Sequence, residues 1–231
     1  VKALRIGTIA ALAAALLALV PAAGAALVGI YRNGMQGKGQ LAQIAKLSGG
    51  RCGREATGRA LMITIGKQTR ECTYRTPVVG RDLEIAATER LLGRTPKPVQ
   101  QGAYLSLDLR AGGGARYQLA VYPRQRKAQV RKILSGGEIE YLHVEKGVAG
   151  IEGVDRDNEL RLRAFNVTEG DAKGNCRVLA WVGGELVADV TDEGAGELTG
   201  RASGFSVGSA KIAKGAQATV DDVVVRVPSP F

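Results

Sequence analysis

An all-β sandwich of antiparallel strands is the fold class this sequence predicts, and three observations predict it. From Arg59 to the end of the chain, apolar and polar residues alternate at period two. Gly, Asp, Asn and Pro interrupt the alternation at short intervals, with 32 glycines among 231 residues. Helix-period patterns are scarce beyond Leu41–Leu47. About twelve short strands separated in this way describe two packed antiparallel sheets rather than a parallel sheet covered by helices.

The strands follow in order. Candidates are residues 60–66, 71–76, 82–91, 103–110, 116–122 and 128–134, then 138–144, 159–166, 176–182, 185–189, 201–207 and 218–227. YLSLDLR places Leu105, Leu107 and Leu109 on one face and Tyr104, Ser106, Asp108 and Arg110 on the other. LRLRAF points Leu160, Leu162 and Ala164 inward and Arg161 and Arg163 outward. VLAWVGGELVADV reads as a hairpin turning at Gly183-Gly184, with Trp181 expected in the core. Pro96 and Pro98 mark a loop, Pro123 ends a strand, and Pro228 and Pro230 close the last one.

Before the strands comes a different kind of segment. Lys2 and Arg5 precede 26 uncharged residues, Ile6–Tyr31. A bilayer core of about 30 Å needs roughly 20 helical residues, so this run is long enough to cross. Two readings fit it. As a signal peptide it has a basic start, an apolar stretch to Val20, a break at Pro21 and an Ala23-Gly24-Ala25 cleavage pattern. As an uncleaved anchor it continues through ALVGIY, which cleavage after Ala25 would leave at the mature end. The anchor is the expectation adopted. Either way the following domain is expected outside the cytoplasm, tethered by one span or secreted if cleaved. The expected organisation is residues 1–31 as signal anchor or signal peptide, 32–58 as a flexible stalk in which LAQIAKL forms about two helical turns, and 59–231 as the sandwich.

Net charge is +10. It favours anionic partners such as headgroups or acidic wall polymers. Export and the lack of any nucleic-acid module argue against nucleic acid. Of the three cysteines, Cys52 and Cys72 flank one strand and are expected to pair in an oxidising compartment. Cys176 is then left over. The spacing fits no zinc motif, and His143 is the sole histidine, without a nucleophile beside it.

Particular segments carry a resemblance. RYQLAVYP with KAQVRKIL, then NELRLRAFN, the hairpin WVGGELVADVTD, GELTGRASGFSVG and ATVDDVVVRVP follow one another in the order of a known superfamily. The stretch Ala103–Pro228 resembles the concanavalin A-like lectin/glucanase superfamily, which includes laminin-G-like domains. The resemblance implies a jelly-roll sandwich whose concave sheet binds glycans in some members and hydrolyses them in others. The turn at Val182-Gly183-Gly184 lacks a frequent asparagine, and Val220 stands where phenylalanine is common.

The hydrolases of this fold use an E-x-D-x-E-like run, and nothing here matches it. Glu138 with Glu140, and Asp82 with Glu84, read as solvent faces of strands. No catalytic residue is therefore assigned, and an enzyme, if this is one, would be a glycoside hydrolase. Sugar sites use aromatic platforms with amide or acid groups, and aromatics are only 4% here. Trp181, Tyr104, Tyr117, Tyr122 and Tyr141 are the aromatic candidates. The ligand set singled out is Tyr104, Asp108 and Tyr117 on the sheet and Arg124, Arg126 and Lys127 in the basic hairpin Pro123–Lys132. No cofactor is expected. Asp221-Asp222 is weighed as a calcium site and set aside, because adjacent strand residues point oppositely. Asn166-Val167-Thr168 fits a glycosylation acceptor and is read as a plain loop. The functional expectation is a tethered extracellular sandwich that binds a glycan or an anionic envelope polymer without catalysis. A hydrolase and a module binding another protein are the alternatives.

Overall fold

The computed structural model describes residues 27–35, 37–48, 51–67, 69–168, 170, 174–194, 198–210 and 215–228. Its strands are β1 (Leu27–Asn33), β2 (Ala45–Ser48), β3 (Cys52–Ala56), β4 (Leu61–Ile65) and β5 (Glu71–Val79). Next come β6 (Leu83–Leu91), β7 (Ala103–Gly112), β8 (Ala115–Tyr122), β9 (Lys127–Ile133) and β10 (Ile139–Lys146). The last are β11 (Asn158–Asn166), β12 (Cys176–Val182), β13 (Glu185–Asp192), β14 (Ala202–Ser209) and β15 (Gln217–Pro228). Two short helices, α1 (Lys38–Ala42) and α2 (Lys97–Gln100), lie in connections. Each of the twelve expected strands is present. Three more precede them.

All pairings are antiparallel and form two sheets. One runs β13-β12-β11-β6-β15-β4-β3, with β1 also paired to β15. The other runs β10-β9-β8-β7-β14-β5-β2. The core lies between them. Leu105, Leu107 and Leu109 of β7 and Leu119 and Val121 of β8 face Ile85, Leu160, Leu162 and Val178. Tyr74 and Phe205 stack at 5.6 Å. Each fully buried Leu, Ile or Phe contributes about 1.5–3 kcal/mol relative to exposure.

Residues 32–58, read from the sequence as a stalk, contribute β2, β3 and the end of β1 to the two sheets. Met35 and Ile44 from this stretch are fully buried in the core. LAQIAKL is not one helix: α1 ends at Ala42 and β2 begins at Ala45. The expected N-terminal helix falls outside the described residues as far as position 26. The end of its apolar run, Leu27–Tyr31, is strand, with Leu27 opposite Pro228 and Tyr31 opposite Val225. Among the described residues no helix is long and apolar enough to cross a membrane.

The Cys52–Cys72 disulfide is present, with Cα atoms 5.9 Å apart. It ties the edge strand β3 of one sheet to β5 of the other. Cys176 is a buried free thiol. Trp181 is not in the core. The alternation of β12 points Val178, Ala180 and Val182 inward, which leaves Trp181 half-buried on the outer face, stacked on the Arg161 guanidinium at 4.0 Å. Asp221 and Asp222 sit at a bulge in β15, where Asp222 is bound by Arg32 at 2.9 Å. Among the described residues no three acids, histidines or cysteines are grouped to hold a metal ion.

Candidate functional site: the outer face of the seven-stranded sheet

Strand parity builds this face. In β7, β8, β9 and β14 the apolar residues point to the core, and the intervening ones point away. Register then places Tyr104 beside Tyr122, Ser106 beside Ala120 and Ser206, and Asp108 beside Gln118 and Gly204. Across β9, Gln118 lies beside Arg131 and Tyr122 beside Lys127. The row continues into β10, with Arg131 beside Tyr141 and Lys127 beside Lys146.

Small residues on β14 make room for large ones. A Cβ on Gly208 would come within 2.3 Å of the Tyr104 ring, so that ring lies directly over the glycine. Tyr104 and Tyr122 meet with centroids 5.5 Å apart. Together with Ala120 they form a buried apolar cluster separate from the main core. The Arg131 guanidinium lies 4.6 Å from the Tyr104 centroid, and the Lys127 ammonium lies 4.0 Å from that of Tyr122. Such cation–π contacts hold both cations in fixed positions.

Asp108 is the hub of a buried polar network. Its Oδ1 accepts from Gln118 Nε2 at 2.8 Å and from Arg116 Nε at 3.1 Å, and its Oδ2 accepts from the Ser206 hydroxyl. Arg116 also grips Glu71. Gln118 Nε2 reaches Glu71 Oε1 at 2.8 Å, while Gln118 Oε1 accepts from Arg131 Nε at 2.8 Å. One amide thus couples the two acids to a second guanidinium. Burial pushes the Asp108 carboxyl up, with Arg116 pulling it back and the Glu71 charge adding to the rise. At the other end, burial and then Lys146 and Arg131 push the Lys127 ammonium down. The face is therefore polarised, with paired acids at one side and cations crowded at the other.

The sequence-predicted ligand set is only partly brought together. Tyr104, Asp108 and Lys127 share the face. Tyr117 does not. It is fully buried between the sheets, its hydroxyl donating to Asp192 Oδ2 at 2.5 Å, because β8 turns Tyr117, Leu119 and Val121 the same way. Tyr122 is the partner of Tyr104. Arg124 is exposed in the 3₁₀ turn Pro123–Gln125, away from the tyrosines. Arg126 has φ +48° and donates to the Ile151 carbonyl at 3.2 Å, so it also leaves the face. Arg110 leaves the Asp108 face as well. It occupies a bulge at φ +52°, and its guanidinium reaches the Arg81 carbonyl and Asn166 Oδ1. Asp82 and Glu84 are not free solvent-face acids, since Asp82 meets Arg110 and Glu84 meets Arg226. Glu71, Arg116, Gln118 and Ser206 were not singled out from sequence. Their signal was a shared outward parity.

No protein-family model matches the chain, and no curated protein does. Solved structures share its fold. A carbohydrate binding module from Bacillus subtilis is 16% identical with TM-score 0.56, over 78% of this chain and 93% of that one. A Bacillus subtilis protein of unknown function with a galectin-like fold is 13% identical with TM-score 0.61, over 87% and 98%. A prokaryotic beta-1,3-1,4-glucanase (lichenase) from a mouse hindgut metagenome is 12% identical with TM-score 0.58, over 86% and 99%. The chain thus has the jelly-roll sandwich fold found in carbohydrate-binding modules and glucanases.

Proposed function

We propose that this chain binds a glycan on the outer face of its seven-stranded sheet, without catalysis and outside the cytoplasm. One observation carries the reading. Tyr104 and Tyr122, 7% and 4% exposed, form an aromatic pair beside a hydrogen-bonded acid–amide–guanidinium network on the face opposite the core. Aromatic bodies with a few fixed polar groups are how sugar-sized ligands are held and oriented. Carbohydrate-binding modules among the structural neighbours support the reading at the level of fold.

Noncatalytic binding is favoured over hydrolysis by the state of the acids. A glycosidase needs one carboxyl free to protonate the leaving oxygen and a second within about 5–9.5 Å of it. Asp108 is wholly buried, and Ser206, Gln118 and Arg116 occupy both of its oxygens. Glu71 is bound by Arg116 and Gln118. Neither is free to give up or take a proton at a sugar. The crowded cations Lys127, Lys146 and Arg131 extend the ligand class to anionic envelope polymers.

Placement outside the cytoplasm rests on the basic start and long apolar run. Because β1 begins at Leu27, a helical span would have to end before it. Cleavage after Ala25 would instead leave Leu27–Tyr31 free to serve as the start of β1, although Val28 and Ile30 stay exposed there. The deciding experiment for function is a glycan array probed with the chain from Leu27 onward, followed by chromatography of any bound oligosaccharide. Retention of intact glycan, lost on Tyr104→Ala, is expected. Shortened products would establish hydrolysis, and an array without hits would turn the reading to a protein partner.

A further inference from the structure

At the β7–β8 turn the ligand face ends in a small cleft of about 160 Å³. Thr73 and Arg75 of β5, Arg116 of β8 and the turn Gly112–Gly114 line it. Two arginines thus line it, and no carboxylate is among the lining residues. Arg75 forms no ion pair among the described residues, and its Nε is buried without a hydrogen-bond partner. A buried donor left unmade costs about 1–3 kcal/mol, more for a charged group. Arg116 spends Nε and Nη2 on Asp108 and Glu71, and its Nη1 has only a long 3.5 Å contact to the Gly114 carbonyl. Both cations therefore keep donors to offer. Gly113 has nothing within 4 Å of where a Cβ would sit, so the mouth stays open.

We propose that this cleft is an anion subsite: it takes the acidic substituent of the bound glycan, a carboxylate or a sulfate or phosphate ester, between Arg75 and Arg116. The inference rests on the glycan-binding reading and narrows it to acidic glycans. An anion there neutralises the two guanidinium charges and uses the planar fork geometry that suits such groups. Arg116 belongs to both the cleft and the Asp108 network, so occupancy at one is felt at the other. From the Tyr104 row to the Asp108–Arg75 row is four residues, roughly 14 Å at about 3.4 Å each. A ligand touching both the tyrosines and the cleft is therefore longer than one sugar.

The test uses the full chain in a non-glycosidic detergent, with amide NMR shifts of Gly112–Gly114 followed at constant ionic strength. The probes are glucuronate and inorganic sulfate, with methyl glucoside as the neutral control. Saturable shifts with both anions and none with methyl glucoside are expected. Arg75→Gln should weaken anion binding at least tenfold, Arg75→Lys less so, and neither should lower the melting temperature, since Arg75 makes no ion pair among the described residues. Equal shifts with glucuronate and methyl glucoside, or anion affinity unchanged by Arg75→Gln, would overturn the subsite. Array hits confined to neutral glycans and indifferent to Arg75→Gln would sink the subsite and leave glycan binding standing. Saturable anion binding beside a blank array would do the reverse.

Discussion

Glu89 sits in the middle of the sandwich and should lower its stability at neutral pH. It lies on β6 among the inward residues Ile85, Ala87 and Leu91, with no surface exposed. Neither carboxylate oxygen has a hydrogen-bond partner. Burial pushes its carboxyl well above the usual range, and the Asp108 charge on the far side of β7 adds to the rise, with only partial relief from the Ser106 backbone. The folded chain therefore holds the proton that the unfolded chain releases near pH 4.3. A raised folded pKa means this contribution is present in full below about pH 4.3 and is lost as pH rises toward the folded value, by about 1.4 kcal/mol per pH unit. Glu89→Leu removes both the titration and the unsatisfied group, which by itself destabilises by about 1–3 kcal/mol. The variant should thus be more stable than the parent by at least about 1 kcal/mol at pH 7, with a smaller gain at pH 4. Urea unfolding at the two pH values measures it. A variant no more stable at pH 7, or a difference independent of pH, would refute the assignment of Glu89 as a buried neutral acid.

Three further outcomes are expected. Replacing Cys52 and Cys72 together by Ala should cost about 3 kcal/mol, since the bridge closes a loop of about twenty residues; chemical denaturation reads it, and an unchanged midpoint would count against the cross-sheet tie. Gly208→Ala should displace the Tyr104 ring, which stands 2.3 Å from the added Cβ, and weaken glycan binding while the Tyr74–Phe205 core stays intact; calorimetric titration on array hits against the parent decides. Lys127→Gln should weaken binding of an anionic polymer and flatten its salt dependence, whereas Arg124→Gln should do neither, because only Lys127 lies on the tyrosine face; equal losses would restore the basic hairpin as a unit.

The later strands were legible because apolar and polar residues alternate along most of them, even in β7, β8, β9 and β14, where the outward residues are buried as well. β1 was not, because Leu27–Tyr31 continues an apolar run, and a run carries no parity. β3 was hidden for the opposite reason: CGREA is an edge strand with three exposed residues at its centre, so nothing in it alternates between inside and outside. The disulfide was legible from the cysteines flanking one strand. Trp181 shows the limit of reading size as burial. Its neighbours Ala180 and Val182 are smaller, yet they hold the inward parity, and Arg161 shields the indole instead.

The site is harder to read than the fold because it belongs to no single strand. Asp108 faced outward in the sequence, but its partners depend on register, and register depends on a bulge. A plain two-residue turn at Gly113-Gly114 pairs Gly112 with Ala115 and would set Leu109 opposite Gln118, an inward residue against an outward one. One extra residue at the turn end of β7 restores the match, setting Leu109 against Tyr117 and Asp108 against Gln118. The bulge also throws Arg110 off the face by its positive φ. The parity conflict is visible in the two strands once their buried faces are known, so the bulge, the Asp108–Gln118 pair and the loss of Arg110 follow from one constraint. The selection of Tyr122 over Tyr117 has the same origin: in an antiparallel pair only residues of matching parity meet, and Tyr104 has its match in Tyr122.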